Sequence, residues 1–357
     1  MDLPFDLAQP YGLDRADKQP LLLGVLNELT AAHCARCEPY GNILARMFPA
    51  GPALHPEDVP FLPVRLFKSL ELRSVPQEDV VKTLISSGTT GQSVSRIYLD
   101  RETAMRQTRV LAAIVTSFLG RRRRPMVIVD NREVMKDHSR FNARAAGILG
   151  FSSFGRDHFY CLDGEMGLDE AALEAFLEAH RDAPLFIFAF TFVIWQYLYQ
   201  ACVARNRRFD FGPDSVLIHG GGWKRLLDQQ VDNALFKARL SERLGIGRVL
   251  NYYGMVEQVG AVFMECEGGH LHCPVFADVI VRDPLSLEPL PTSRTGVLQV
   301  VSCLPLSYPG HSLLTEDMGT LLGEDDCPCG RKGKYFTVSG RLPQVEMRGC
   351  SDTRVLP

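Results

Sequence analysis

The run Ser86-Ser87-Gly88-Thr89-Thr90-Gly91 combines glycines that free the backbone with hydroxyls that can donate hydrogen bonds. Following an apolar stretch, such a loop can surround phosphate oxygens with N–H and O–H donors. The same composition suits an ordinary turn linker, and the Gly-Lys-Ser/Thr ending of a Walker loop is missing. Cys327-Pro328-Cys329 is a tight thiolate pair; Cys266 and His272 can complete a tetrahedral set for zinc, with His270 and Cys273 as rivals for places. Buried reduced cysteines are the alternative. Cys350 follows Arg348 in a tail of turn formers, where a neighbouring cation favours the nucleophilic thiolate. A lone tail thiol is also commonly inert. His219-Gly220-Gly221-Gly222 has the form of an esterase oxyanion loop, but the chain contains no Gly-x-Ser-x-Gly elbow to go with it.

These groups need a scaffold, and 357 residues with 46% hydrophobic and 9% aromatic content supply a substantial core. The 39 basic and 42 acidic side chains leave a net charge of -3, so no nucleic-acid or anionic-membrane partner is expected. The acidic start is unlike a secretory signal, and ten cysteines without a secretory context read as thiols, ligands or nucleophiles, so a cytoplasmic setting is expected. Residues 184–204 carry no charge and approach the roughly 20 residues of a membrane span. The polar interruptions at Gln196 and Gln200 favour a buried strand over 185–191 followed by a helix, with no stable membrane insertion.

Residues 1–76 read as a helical flank: apolar positions from Gln19 to Met47 recur at helical spacing, and a series of prolines then imposes extended chain. Over 77–260 strands and helices alternate, with strands at 83–85, 126–130, 185–191 and 215–219 and helices at 102–119, 169–180 and 226–244. That alternation predicts an α/β fold with a mainly parallel sheet flanked by helices. Residues 261–340 break into short β-like pieces, including 277–281 and 296–302, a smaller β-rich subdomain that carries the Cys/His group; 341–357 form a C-terminal tail.

Several motifs occur in the order found in adenylate-forming enzymes, the superfamily of acyl-CoA synthetases and firefly luciferase. The 86–91 loop resembles that superfamily's phosphate loop. Tyr253-Gly254-Met255-Val256-Glu257 resembles its Tyr-Gly-x-Thr-Glu motif, Leu314-Thr315-Glu316-Asp317 its Thr-Gly-Asp motif, and Gly340-Arg341 its Gly-Arg hinge. The resemblance narrows to the acyl-protein synthetase family of bacterial bioluminescence, near the phenylacetate-CoA ligases. It is carried by the stretches 60–68, 219–224, 307–311, 327–334 and 346–351.

The resemblance implies the large-domain fold of adenylate-forming enzymes, with 77–260 as a nucleotide-binding core, and the use of ATP and Mg2+ to activate a fatty or other carboxylic acid. It further implies that Glu257 holds magnesium, Asp317 takes the ribose hydroxyls, Gly220 to Gly222 line the adenine, Tyr252 or Tyr253 stacks on it, and Arg341 marks the hinge. Cys350 matches the cysteine that accepts the acyl group before delivery to an acyl reductase. The chain departs from the superfamily at Gln92 and Val256, and the usual C-terminal small domain with its lysine is expected to be missing. Lys224, just after the glycine run, is the residue expected to supply the missing cation, a solvent-facing lysine being the alternative. Two other outcomes fit the same residues: a ligase passing the acyl group to CoA or a carrier protein, and a non-catalytic partner subunit of a reductase.

Overall fold

The computed structural model of the chain describes residues 3–86, 94–135 and 143–342. It begins with two helices, α1 (Arg15–Arg36) and α2 (Glu38–Met47). The side chain of Asp14 caps α1 by accepting from the Asp17 N–H, and Leu22, Val25, Leu26, Leu29 and His33 form its buried stripe at helical spacing. The proline-rich connector then touches down as β1 (Leu62–Pro63), which pairs in parallel with a distant strand at Leu313 and Leu314. A two-stranded antiparallel ribbon follows, β2 (Lys82–Ile85) with β3 (Arg96–Leu99); the glycine/hydroxyl sequence falls between the two strands in chain order.

The α/β part comprises α3 (Arg101–Leu119), β4 (Arg124–Asn131), α4 (Ala143–Ser152), β5 (Gly155–Leu162), α5 (Glu170–Ala179), β6 (Phe186–Phe190), α6 (Thr191–Val193), α7 (Gln200–Ala204), β7 (Val216–Gly220), α8 (Asn233–Leu244) and β8 (Arg248–Tyr253). Its strands are parallel, in the order β8-β7-β6-β4-β5. Every residue of β6 and β7 is buried, as expected for strands covered on both faces. The uncharged 184–204 stretch is strand β6, then α6, a π-helical segment (Ile194–Tyr199) and α7. No described helix is long and apolar enough to cross a membrane.

Beyond β8 come β9 (Phe263–Glu265), β10 (Leu271–His272), β11 (Ala277–Arg282), β12 (Thr295–Ser302), β13 (Ser312–Glu324) and β14 (Lys334–Arg341). These are antiparallel to their neighbours, and the β8–β9 pair joins them to the parallel strands in one sheet, β11-β12-β13-β14-β10-β9-β8-β7-β6-β4-β5, with β1 beside β13. The β-rich region is thus hydrogen-bonded into the same sheet as the α/β region.

Two expectations need revision. The helix expected over 226–244 is a short 3-10 turn (Lys224–Gln229) followed by α8, because the Asp232 carboxylate accepts from the Leu235 N–H at 2.7 Å and starts a new helix there. In addition, α4, β5 and β8 occur where no element is expected; β5 reads as polar because only three of its eight positions are fully buried.

Candidate active site

The parallel strands end together at one edge of the sheet, the usual place for a ligand crevice in an open α/β sheet. Gly220, the last residue of β7, lies under the ring of Tyr252 at the end of β8. A Cβ on Gly220 would stand 2.4 Å from the Tyr252 ring, so only glycine fits this contact. Gly221 has φ +79°, a conformation glycine adopts without strain, and any Cβ there would press on Phe190 at 3.2 Å. A Cβ on Gly222 would meet nothing within 4 Å, so the run ends facing open space.

His219 supports this loop from beneath. Its Nδ1–H donates to Thr191 Oγ1 at 2.9 Å, and the Thr191 hydroxyl donates to the Gly220 carbonyl at 3.2 Å. Burial, reinforced by the Lys237 charge, pushes the imidazole down to about 3, so it is neutral at ordinary pH.

Across the β8–β9 junction, the Tyr253 hydroxyl donates to Asp317 Oδ2 at 2.7 Å. Asp317 and Arg341 are cross-strand partners on β13 and β14, with Arg341 Nε 3.7 Å from Asp317 Oδ1. Burial raises the Asp317 carboxyl above its ordinary value, opposed by the Tyr253 hydrogen bond and the Arg341 charge. Glu257 sits on a short turn, Val256–Gln258, and is 7% exposed. Burial raises its carboxyl too, opposed by the nearby Ser95 hydroxyl and by the charges of Lys68 and Arg341. A carboxylate that shares its surroundings with two cations and a hydroxyl-lined loop base is chemically suited to polyphosphate and its divalent counter-ion.

Lys68 belongs to the 60–68 stretch that carried the resemblance, yet nothing in its spacing marked it as a site residue. Its position follows from the β1–β13 pairing, which seats the turn Val64–Lys68 against the strand of Asp317 and lets Arg65 bind Glu316 at 2.7 Å. Ser86 is at the base of the glycine/hydroxyl loop, where its Oγ accepts from the Ser95 N–H at 2.9 Å. Ser87, Gly88, Thr89, Thr90, Gly91 and Cys350 lie outside the described residues. Lys224 opens the turn after the glycine run; its side chain is not among those described.

The second candidate site lies at the tip of the β13–β14 hairpin. Cys327 and Cys329 in the connection meet Cys266 and His272 of the β9–β10 hairpin, with their ligand atoms all within 4.8 Å of one another. Cys266 Sγ is 3.9 Å from Cys327 Sγ, and Cys329 Sγ is 3.3 Å from His272 Nε2. Tetrahedral zinc, with bonds of about 2.0–2.3 Å, sets its ligands roughly 3.5–3.8 Å apart, so the donor set and its spacing fit. Burial, then the charges of Arg331 and His270, pushes His272 down to about 4 and keeps it the neutral imidazole that ligates metals. Of the two rivals, His270 Nδ1 lies 3.5 Å from Cys327 Sγ at the margin of the set, while Cys273 is buried beside Asp278 and Lys18.

Among solved structures, 2-hydroxyisobutyryl-CoA ligase in an open conformation with 2-HIB-AMP and CoA is similar with a TM-score of 0.68 at 16% identity, over 96% of this chain and 79% of that one. A long-chain-fatty-acid-CoA ligase from Archaeoglobus fulgidus gives a TM-score of 0.50 at 15% identity, over 76% of this chain and 53% of that one. The fold is that of the adenylate-forming ligases. Within that class, the model of the family described as acyl-protein synthetase, LuxE, matches residues 2–355, and the chain belongs to this family. Long-chain-fatty-acid–luciferin-component ligases from Vibrio harveyi and Aliivibrio fischeri are 26% and 25% identical over 161 and 164 residues, which are 43% and 45% of this chain. These matches span 41% and 42% of the two relatives' own lengths.

Proposed function

We propose that the chain activates a fatty acid with ATP and carries the product as a thioester on Cys350. One observation carries the reading. The Asp317 carboxylate is held between Arg341 and Tyr253, and Tyr253 directly follows Tyr252, whose ring lies on the glycine run. A half-buried carboxylate at that point accepts from ribose hydroxyls, while the open space at Gly222 admits a flat base that Tyr252 or Tyr253 can cover.

In the first step a carboxylate oxygen of the acid attacks the α-phosphorus of ATP, the bond to the bridging oxygen breaks, and pyrophosphate leaves. Glu257 is the residue that would hold Mg2+, which offsets triphosphate charge when bound. Lys68, Arg341 and Lys224 are the cations proposed to offset the charge that develops around the α-phosphate. In the second step the Cys350 thiolate attacks the acyl carbon, the bond to the phosphate oxygen breaks, and AMP leaves. The acyl group would then pass to an acyl reductase or another acceptor. The fatty acid is proposed because the Vibrio harveyi and Aliivibrio fischeri relatives are named for long-chain fatty acids. A cytoplasmic setting would keep the thiols reduced.

The test is intact mass after incubation with ATP, Mg2+ and a panel of fatty and aromatic acids, beside Cys350→Ser. The expected result is a gain of one acyl group, released by hydroxylamine and absent from the variant. ATP cleavage to AMP without an adduct would move the acceptor to CoA or a carrier protein, and absence of pyrophosphate exchange would leave a non-catalytic partner.

The Cys/His cluster supports a second assignment, a structural zinc held by Cys266, His272, Cys327 and Cys329. One equivalent of zinc in the purified protein, lost in Cys327→Ser, is the expected result; metal analysis that finds none overturns it.

A further inference from the structure

Glu265 is 1% exposed and ties three segments together. Its Oε1 accepts from Lys237 Nζ at 2.7 Å and from the Asn233 side-chain amide, both on α8. Its Oε2 accepts from the backbone N–H of Asn251 at 2.7 Å. The β8–β9 ladder pairs Tyr253 with Phe263 and Tyr252 with Met264; at the next rung the Glu265 carboxylate binds the backbone where a ladder bond would stand. The side chain thereby fixes the strand end that presents Tyr252 and Tyr253.

The neighbouring residue, Cys266, belongs to the Cys/His cluster. Its N–H donates to the His270 carbonyl at 2.8 Å, closing the turn between β9 and β10, and His272 on β10 pairs with Tyr335 on β14. The cluster thus joins two hairpins at one end, and at the other the Tyr253–Asp317 hydrogen bond ties β8, the strand paired with β9, to β13. A continuous line of contacts therefore runs from the four ligands along β9 to Glu265, and from there to the backbone N–H of Asn251, the residue before Tyr252.

We propose that Glu265 is a positioning residue that couples occupation of the Cys/His cluster by zinc to the affinity of the nucleotide crevice. The proposal rests on the zinc and nucleotide assignments above. Neither the chemistry at Cys350 nor the identity of the acid enters it.

Calorimetric binding of AMP and of ATP with Mg2+ is compared for the zinc-loaded and the chelator-stripped protein, in wild type and Glu265→Gln. Stripping is expected to weaken nucleotide binding about tenfold in wild type, a coupling of ordinary size. Glu265→Gln, fully zinc-loaded, is expected to lose a similar factor, and stripping it is expected to cost less than about twofold more, because one link is removed twice. Lys237→Gln, which removes one donor and leaves the carboxylate, is expected to weaken binding by a smaller factor, and it keeps the test open if Glu265→Gln does not fold. Equal affinity of the two wild-type forms overturns the coupling, as do effects of stripping and of Glu265→Gln that simply multiply. A protein that contains no zinc but binds ATP overturns the coupling through the zinc assignment alone, and one that contains zinc but binds no nucleotide overturns it through the nucleotide assignment alone.

Discussion

In the parallel strands β6 to β8, the crevice groups stand at strand ends: Phe190 closes β6, Gly220 closes β7 and Tyr253 closes β8. In the antiparallel strands, Asp317 lies inside the thirteen-residue strand β13, opposite Arg341 on β14, with the Cys/His cluster at the hairpin's tip. The first region positions backbone, using glycines where a ring must lie flat against the chain. The second positions side chains, using cross-strand register. The two regions are joined by the β8–β9 ladder and the Glu265 contacts, and the Tyr253–Asp317 hydrogen bond links a strand-end group of the first to an in-strand group of the second. Groups at strand ends are free to meet a ligand, whereas a side chain inside a hairpin must have its strand held at a fixed register, and a metal-sized cluster at the tip can supply that constraint.

The strongest way to break this comparison is Asp317→Ala. On the proposed assignment of Asp317 to the ribose hydroxyls, it is expected to lower kcat/KM for ATP by roughly 10²–10³, about 3–4 kcal/mol of transition-state stabilisation. Pyrophosphate exchange reads the rate and a thermal melt reads the fold, and the melting temperature is expected to stay near wild type. A large drop in melting temperature would show that Asp317 holds the hairpin instead of the nucleotide.

Cys327→Ser tests the other end of the same hairpin. If the proposed zinc is lost with this thiol, it is expected to cost roughly 3 kcal/mol of stability, with kcat at saturating ATP within about twofold of wild type. Urea unfolding with and without added zinc measures the first, and single-turnover kinetics the second. Asp317→Ala should therefore lose kcat/KM for ATP with its fold kept, whereas Cys327→Ser should lose stability and, through the coupling proposed above, about tenfold in ATP affinity while its kcat at saturating ATP stays near wild type.

Much of the crevice was readable in the amino-acid order, because each backbone-shaping group sits inside a short motif. Gly220 lies against Tyr252, Tyr253 binds Asp317, and Cys266, His272, Cys327 and Cys329 gather within 4.8 Å, all of them groups singled out by motif or resemblance. Lys68 and Glu265 were not readable. Lys68 comes near enough for its charge to act on the Glu257 carboxyl through the pairing of β1 with β13, some 250 residues away in sequence. Glu265 looks like an ordinary strand carboxylate until α8 delivers Lys237 and Asn233 to it. The break before α8 was missed for a local reason: the capping signal of Asp232 competes with an apolar periodicity that runs through it.

A third test concerns the joint between the helical flank and the antiparallel region. The rings of His33 on α1 and His311 stack at 5.1 Å; His33 Nδ1 accepts from Ser74 Oγ at 2.8 Å, and His311 Nε2 lies 2.9 Å from Thr30 Oγ1. Burial, with a further push from the Arg36 charge and a counter-pull from the Pro305 carbonyl, lowers His33 to about 4. The unfolded chain takes up this proton first, so the stability contribution is complete above pH 6.5 and is lost as pH falls from there toward 4. About 2 kcal/mol is expected to disappear between pH 7 and 5 through His33 alone. Urea midpoints measured across that range should slope less in His33→Gln, and an unchanged slope would show that other groups govern the acid limb.

The smallest effect expected is that of Tyr253→Phe, and it bears on the meeting point itself. The variant keeps the ring against Phe263 and Phe336 and removes only the hydroxyl that donates to Asp317. A single hydrogen bond to a charged group is worth on the order of 1–2 kcal/mol net. Burial already raises the Asp317 carboxyl, and losing this donor raises it further, so nucleotide binding should weaken most at low pH, where the carboxyl is protonated first. KM for ATP is expected to rise about fivefold near neutral pH with kcat little changed, as for an interaction made equally in the ground and transition states. A fall in kcat at constant KM would instead place the phenol in contact with the reacting groups, and the parallel region would then contribute chemistry as well as a surface for the base.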